Sequence, residues 1–255
     1  MDPQLVTLLQ EDLKTLGISL RSGAAESLVQ YLDAVLETNQ VMNLTSITDP
    51  VEAIHKHLAD SLAALALPGI RAQAGTAAVW SDVGSGAGFP GLALAAGTEL
   101  PLVHLIESTG KKAHFLNTTI AALGLLKRVQ VHAVRAEVAA QEHPSPSDVP
   151  RGTPLRNHCD AVFFRGVSRL SSLVELGAPL LKLGGLLVAY KGPKADEELA
   201  EAAKAMKELR MGFLERHAFT LPGANEARVL LCLRKTGETP KRFPRPVGLA
   251  QKEPF

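Results

Sequence analysis

The stretch Ser81-Asp82-Val83-Gly84-Ser85-Gly86-Ala87-Gly88-Phe89-Pro90-Gly91 restricts the possible folds more than any other part of the chain. Its glycines at alternate positions stand between a short apolar run, Ala77 to Val83, and a helical one near Leu92 to Ala96. Without Cβ atoms, Gly84, Gly86 and Gly88 let the backbone take positive φ and let a ligand approach closely. Glu107 ends the next apolar run, 23 residues after Gly84. A carboxylate there accepts hydrogen bonds from both hydroxyls of a ribose laid over the turn. Strand, glycine turn, helix and acid together predict an α/β sheet with a nucleotide-like ligand at its edge.

The rest of the chain after Gly75 keeps that rhythm. Strands are predicted at Leu102 to Ile106, Val129 to Ala133, Ala161 to Phe164 and Gly185 to Tyr190. Helices are predicted between them, near Lys111 to Leu123 and Leu170 to Leu181, which is the pattern of βαβ units and a mainly parallel sheet. A surface helix follows at Lys194 to Arg210, and Phe213 to Thr220 with Val229 to Leu233 read as a closing antiparallel pair, seven strands in all. Before Gly75 the period is helical instead. Leu5 to Leu16, Leu28 to Leu36 and Ile54 to Leu65 mark three helices, the last opened by Asp49-Pro50. The prolines of 142–158 forbid helix and interior strand, so that segment reads as a long exposed loop. The prolines after Thr236 predict an ordered wrap or a mobile tail with no regular structure. The expected division is a helical extension (1–75), a Rossmann-like core (76–235) and a basic proline-rich tail (236–255).

The ligand's charge is written around the glycines. Dinucleotide sites use G-x-G-x-x-G and a helix N-terminus for the pyrophosphate. Here the spacing is G-x-G-x-G with Asp82 just before it. S-adenosylmethionine carries an ammonium and a sulfonium and no pyrophosphate, so acidic and carbonyl groups suit it and repel a dinucleotide. A dinucleotide, or a structural turn with no ligand, are the alternatives.

Other classes are excluded by what is missing. No apolar run approaches the roughly 20 residues that span a bilayer, and Met1 to Gln10 has no basic n-region. Cys159 and Cys232 form no CxxC pair, against a disulfide framework or zinc site; a cytoplasmic protein without metal is expected. Net charge is +1, but residues 234–255 carry +4, leaving −3 on the remainder. Lys241, Arg242 and Arg245 in that segment are candidate phosphate contacts on RNA.

With these pieces in order, the chain resembles the bacterial 16S rRNA guanine-N7 methyltransferases, also called the glucose-inhibited division protein B family. The resemblance rests on Asn43-Leu44-Thr45-Ser46-Ile47, His57-Leu58-Ala59-Asp60-Ser61, Asp82 to Gly91, Glu107-Ser108 with Lys111-Lys112, Arg135-Ala136-Glu137, Arg165 in Phe-Phe-Arg-Gly-Val, Tyr190-Lys191-Gly192 and the tail from Pro244 to Pro254. It implies a class I S-adenosylmethionine-dependent methyltransferase fold with an N-terminal helical extension. It also implies that Gly84, Ser85, Gly86, Gly88 and Phe89 hold the methionine part and that Glu107, with Ser108 and Thr109, takes the ribose. Ala136 and Glu137 flank the adenine. Arg165 lies beside cofactor and substrate entrance, in a positioning role. Asn43, His57, Asp60 and Lys191 are implied on the RNA side. Asn39-Gln40-Val41 departs from the tryptophan and lysines usual in the family, and Gly166 stands where alanine is usual.

The implied reaction leaves S-adenosylhomocysteine and needs no general base, because guanine N7 already exposes a lone pair. Alignment of N7, methyl and sulfur is then the main source of rate, worth up to about 7–11 kcal/mol. The A-form major groove hides N7, so the target is unpaired or lies in a partly assembled small subunit. The enzyme is expected to act as a monomer. Plainer readings stand beside these: His57 and Asp60 as a hydrogen-bonded helix pair, Arg165 as a salt bridge, Lys191 as a strand end and the tail as a solvated linker. Rival functions are a small-molecule or protein methyltransferase, an RNA-binding assembly factor without catalysis, and a dehydrogenase.

Overall fold

The structure, a computed structural model, describes residues 2–141 and 155–255. Most of the expected loop at 142–158 therefore lies outside the described residues. Helix α1 (Pro3–Thr15) starts where the Asp2 carboxylate accepts the Gln4 N–H at 2.9 Å, with Pro3 preset for the first turn. It buries Leu5, Leu9 and Leu13, one stripe at helical spacing. Helix α2 (Ala24–Asn39) buries Leu28, Tyr31, Leu32 and Val35.

The third predicted helix is correct in place and wrong in kind. α3 (Pro50–Ala53), capped by Asp49, runs into a π-helical turn at Ile54–Ala59, then α4 (Asp60–Leu62) and a 3₁₀ turn at Ala63–Ala66. Hydrophobic period cannot register a residue inserted into the helix ladder. The contacts that hold this one are polar: His55 meets Asp12 at 2.6 Å and His57 meets Thr45 at 2.7 Å, both histidines being buried.

After α5 (Pro68–Ala74) the alternation follows: β1 (Val79–Val83), α6 (Gly91–Gly97), β2 (Leu102–Ile106), α7 (Gly110–Ala122), β3 (Val129–His132), α8 (Ala136–Ala139), β4 (Cys159–Arg165), α9 (Leu170–Gly177) and β5 (Leu181–Lys191). The helix expected to reach Leu181 stops at Gly177 because Leu181 already opens β5, paired with Cys159. The surface helix is two, α10 (Ala195–Glu201) and α11 (Ala203–Glu208). β6 (Met211–Leu221) and β7 (Glu226–Lys235) form the expected antiparallel pair. The tail is an ordered wrap, but it holds one short helix, α12 (Leu249–Lys252), entered through Gly248 at φ 83°. Proline spacing does not exclude a single turn.

Among the described residues the sheet has seven strands in the order β3-β2-β1-β4-β5-β7-β6. β1 to β5 are parallel and β7 runs antiparallel to β5. One apolar cluster joins α1, α2 and α6 to Trp80 and Phe163 of the sheet; the other joins α9, Phe243 and Ala250 to Val162 and Leu187. The N-terminal helices thus share a core with one sheet face, and the tail shares the other. No helix among the described residues is long and apolar enough to cross a membrane.

Candidate cofactor and substrate site

Strand order reverses between β1 and β4, and in open parallel sheets the ligand crevice lies outside the carboxyl ends at that point. The glycine turn leaves β1 there with φ of 76° at Gly84, 57° at Gly86 and 104° at Gly88. Ser85 Oγ donates to the Asp82 carbonyl at 3.0 Å and the Gly88 N–H to the Ser85 carbonyl at 2.7 Å, which fixes the loop from within. Glu107, at the end of β2, accepts the Gly86 N–H at 2.9 Å and the Thr109 N–H at 2.7 Å, one on each oxygen. A carboxylate has about four lone-pair sites, so each oxygen keeps one for a ligand. Gly84, Glu107, Ser108, Ala136, Glu137 and Gln251 line the cavity beside it.

The residues fit a cationic ligand of the S-adenosylmethionine kind. A Cβ at Gly86 would meet only the Gly84 carbonyl, at 3.9 Å, so the turn is open above. Asp82 is fully buried; one oxygen accepts the Gly91 N–H at 3.0 Å and the other has no partner among the described residues. Burial pushes its carboxyl up to about 7. A positive group nearby relieves that cost, and a pyrophosphate adds to it.

The second wall comes from β4 and the π-helical turn. Arg165 donates to the Lys56 carbonyl at 2.8 Å and to Asp60 Oδ2 at 3.0 Å, and faces His57 Nδ1 at 3.3 Å. Its guanidinium lies 5.4 Å over the Phe89 ring, and the His57 ring stacks on that ring at 4.7 Å and 14°. A donor at Nδ1 leaves the proton on Nε2, pointed at Thr45. Burial first, and Arg165 second, lower the His57 pKa to about 4, so the ring is neutral at physiological pH. Tyr31 backs the same Phe89 at 5.1 Å and donates to the Ala87 carbonyl at 2.6 Å. Arg228 reaches the other Asp60 oxygen at 3.5 Å.

His57, Asp60 and Arg165, separated by 108 residues at the extremes, are therefore one cluster against the glycine turn. Thr45, from the Asn43–Ile47 motif, belongs to it, as do Tyr31 and Arg228, which carry no motif of their own. Asn43 is exposed, in a turn held by Asn39, whose side-chain oxygen accepts the Leu44 and Thr45 N–H groups at 2.8 and 2.9 Å. Ser108 and Thr109 are exposed at the rim and Ala136 is buried.

Glu137 lines the cavity beside Ala136, and one of its carboxylate oxygens accepts the Gly248 N–H of the tail at 2.8 Å. Lys191 donates to the Ser168 carbonyl and to Glu198, both at 2.7 Å, with its side chain almost covered, and so braces the strand end. Other expected placements are corrected. Arg245 is paired with the fully buried Glu175 at 2.6 Å. Lys235, counted in the basic tail, is buried and donates to Asn157, Ala178 and Leu181. Arg242 is exposed but ion-paired with Glu208, and Lys241 is exposed. Lys235 and Arg245 are thus turned inward, while Arg234, Lys241, Arg242 and Lys252 stay exposed.

Comparison with known proteins gives a consistent picture. A family profile described as rRNA small subunit methyltransferase G matches residues 24–221. A ribosomal RNA small subunit methyltransferase G from Desulfitobacterium hafniense is 38% identical over 94% of this chain and 93% of its own. The protein of that name from Sorangium cellulosum is 40% identical over 92% and 89%, and that from Lactobacillus johnsonii 36% identical over the whole of both. The solved structure of a Galdieria sulphuraria protein assigned to sarcosine dimethylglycine methylation shares the fold, with TM-score 0.51 and 13% identity over 74% of this chain and 89% of that one.

Proposed function

This chain belongs to the rRNA small subunit methyltransferase G family, and from that premise we propose that it methylates N7 of a guanine in 16S rRNA. It is an S-adenosylmethionine-dependent methyltransferase. The observation that carries the reading is the glycine turn bonded through Gly86 to Glu107, directly beside the wall of Phe89, His57 and Arg165.

When bound, S-adenosylmethionine supplies a methyl group on a sulfonium, electrophilic enough for direct displacement. Glu107 offers its spare lone pairs to the ribose hydroxyls, and the open face of Gly86 leaves room for the chain beyond. Phe89, buried among His57, Tyr31 and Arg165, backs the glycine turn, and the target base has to leave its stack to reach the methyl group. Neutral His57 is no proton acceptor of consequence, and N7 needs none. Methylated guanine is a cation, so a bare guanidinium beside it would oppose the reaction; Asp60 and the Lys56 carbonyl answer the charge of Arg165. The reading extends to a metal-free cytoplasmic monomer acting on the small subunit, whole or partly assembled.

Glu107→Ala is expected to weaken S-adenosylhomocysteine binding by about 1.5–3 kcal/mol, the scale of hydrogen bonds to a charged acceptor. Calorimetry checks it, and an unchanged affinity removes Glu107 from the site. The product is tested on RNA. Alkylation at N7 makes the glycosidic bond labile, so borohydride and aniline cut the chain there. Small-subunit RNA from cells lacking the protein should lose one cut that the parent shows. If every parental cut persists, the guanine-N7 assignment fails, and a labelled small molecule would replace it.

A further inference from the structure

The last helix of the tail sits at the cofactor cavity and not away from it, and four contacts keep it there. Gly248 donates to Glu137 at 2.8 Å, the buried Ala250 carbonyl accepts Ser172 Oγ at 2.7 Å, Arg245 grips Glu175, and Arg245 also donates to the Glu253 carbonyl at 2.8 Å. Between these tethers stands Gln251, exposed, on the wall of the cavity that Gly84, Glu107 and Ala136 line. Its carboxamide makes no hydrogen bond among the described residues, although its neighbours on both sides are fixed.

A carboxamide presents one acceptor and two donor hydrogens on a planar group. That is the complement of the N6 and N7 edge of adenine, a donor beside an acceptor, which glutamine and asparagine meet in bidentate fashion. Glu137, the acid at this end of the cavity, is already bound to the tail. We propose that Gln251 reads the adenine of the cofactor, so that the C-terminal wrap, and not the Rossmann-like core alone, completes the binding site; this rests on the cofactor reading above. The inward turn of Arg245, onto Glu175 and the Glu253 carbonyl, holds this residue in register. By linkage, a ligand touching Gln251 also holds α12 in place.

The test uses the full chain and two ligands, S-adenosylhomocysteine and S-inosylhomocysteine, in which the N6 donor becomes an O6 acceptor. Gln251→Ala should bind S-adenosylhomocysteine about three- to tenfold more weakly, the effect of one ordinary hydrogen bond. The ligand-free melting temperature should not move, since the side chain is exposed. The preference for the adenine ligand over the hypoxanthine one should shrink in the variant. Equal affinity of wild type and variant for S-adenosylhomocysteine overturns the proposal and leaves the cofactor reading standing. Weaker binding with the base preference intact also overturns it, since Gln251 would then only fill space. A wild-type chain that binds neither ligand would instead remove the cofactor reading itself.

Discussion

Arg165→Met is expected to cost about 3–5 kcal/mol of folding stability, the scale for removing one partner of a buried ion pair. The change takes four interactions at once: the bond to the Lys56 carbonyl, the pair with Asp60, the contact with His57 Nδ1 and the one with Phe89. Asp60 is left buried, with Arg228 at 3.5 Å as its remaining charge partner. The loss should depend on pH in a defined direction. His57 is held neutral with its pKa lowered from 6.5 to about 4, so the stability tied to it is in place above pH 6.5 and drains as pH falls toward 4. Arg165 is one cause of that lowering. Without it His57 titrates higher, the acid loss is smaller, and the gap between variant and wild type narrows as pH falls. Urea melts at pH 8 and pH 5 measure the gap, and the imidazole resonances follow His57. A gap under about 1 kcal/mol at both pH values would mean that Arg165 is solvated and free to serve substrate alone.

Arg165→Lys separates charge from shape. It keeps a cation for Asp60 but loses the planar fork that reaches two acceptors in fixed geometry, so it should recover part of the stability.

The sheet was legible because its rules are local. Strand runs at Val79, Leu102, Val129 and Cys159 each carry short apolar patterning, and the glycine turn follows the first of them directly. What escaped was set by groups distant in sequence. The π-helical turn owes its contacts to Asp12 and Thr45, neither of which shifts the apolar period of 54–65. Tyr31 looks like one more apolar position of α2 until its hydroxyl is found on the Ala87 carbonyl. Charge misled: Arg245 and Lys235 near the tail and Lys191 at the end of β5 read as surface cations, yet Glu175, Asn157 and Glu198 turn each one inward. Net charge counts residues, and only the fold says which of them face water.

Gly91→Ala should be the more damaging of two small changes in the glycine-rich stretch, and for a reason separate from ligand binding. Gly91 opens α6, where alanine would ordinarily be favoured by about 0.5–1 kcal/mol. Here a Cβ would lie 2.5 Å from Asp82 Cβ, 2.6 Å from Leu105 Cδ2 and 2.8 Å from Asp82 Oδ2. These atoms belong to adjacent buried strands that cannot retreat together. Overpacking costs about 1–3 kcal/mol. Helix α6 must also move off β1, which breaks the Gly91 N–H bond and strips the buried Asp82 of its partner at about 1–3 kcal/mol more. The expected loss is about 2–6 kcal/mol, visible as a large fall in melting temperature without any ligand. Gly86→Ala makes the opposite forecast. Its Cβ enters open space, so the stability cost is the left-handed φ of 57°, about 1–2 kcal/mol. The added methyl group then occupies the space over the turn, and S-adenosylhomocysteine affinity should fall further than in any Gly91 variant that still folds. Melting temperature and calorimetric affinity of the two proteins decide the matter together. Should Gly86→Ala prove the less stable and Gly91→Ala the weaker binder, α6 packing and ligand approach would have to exchange residues.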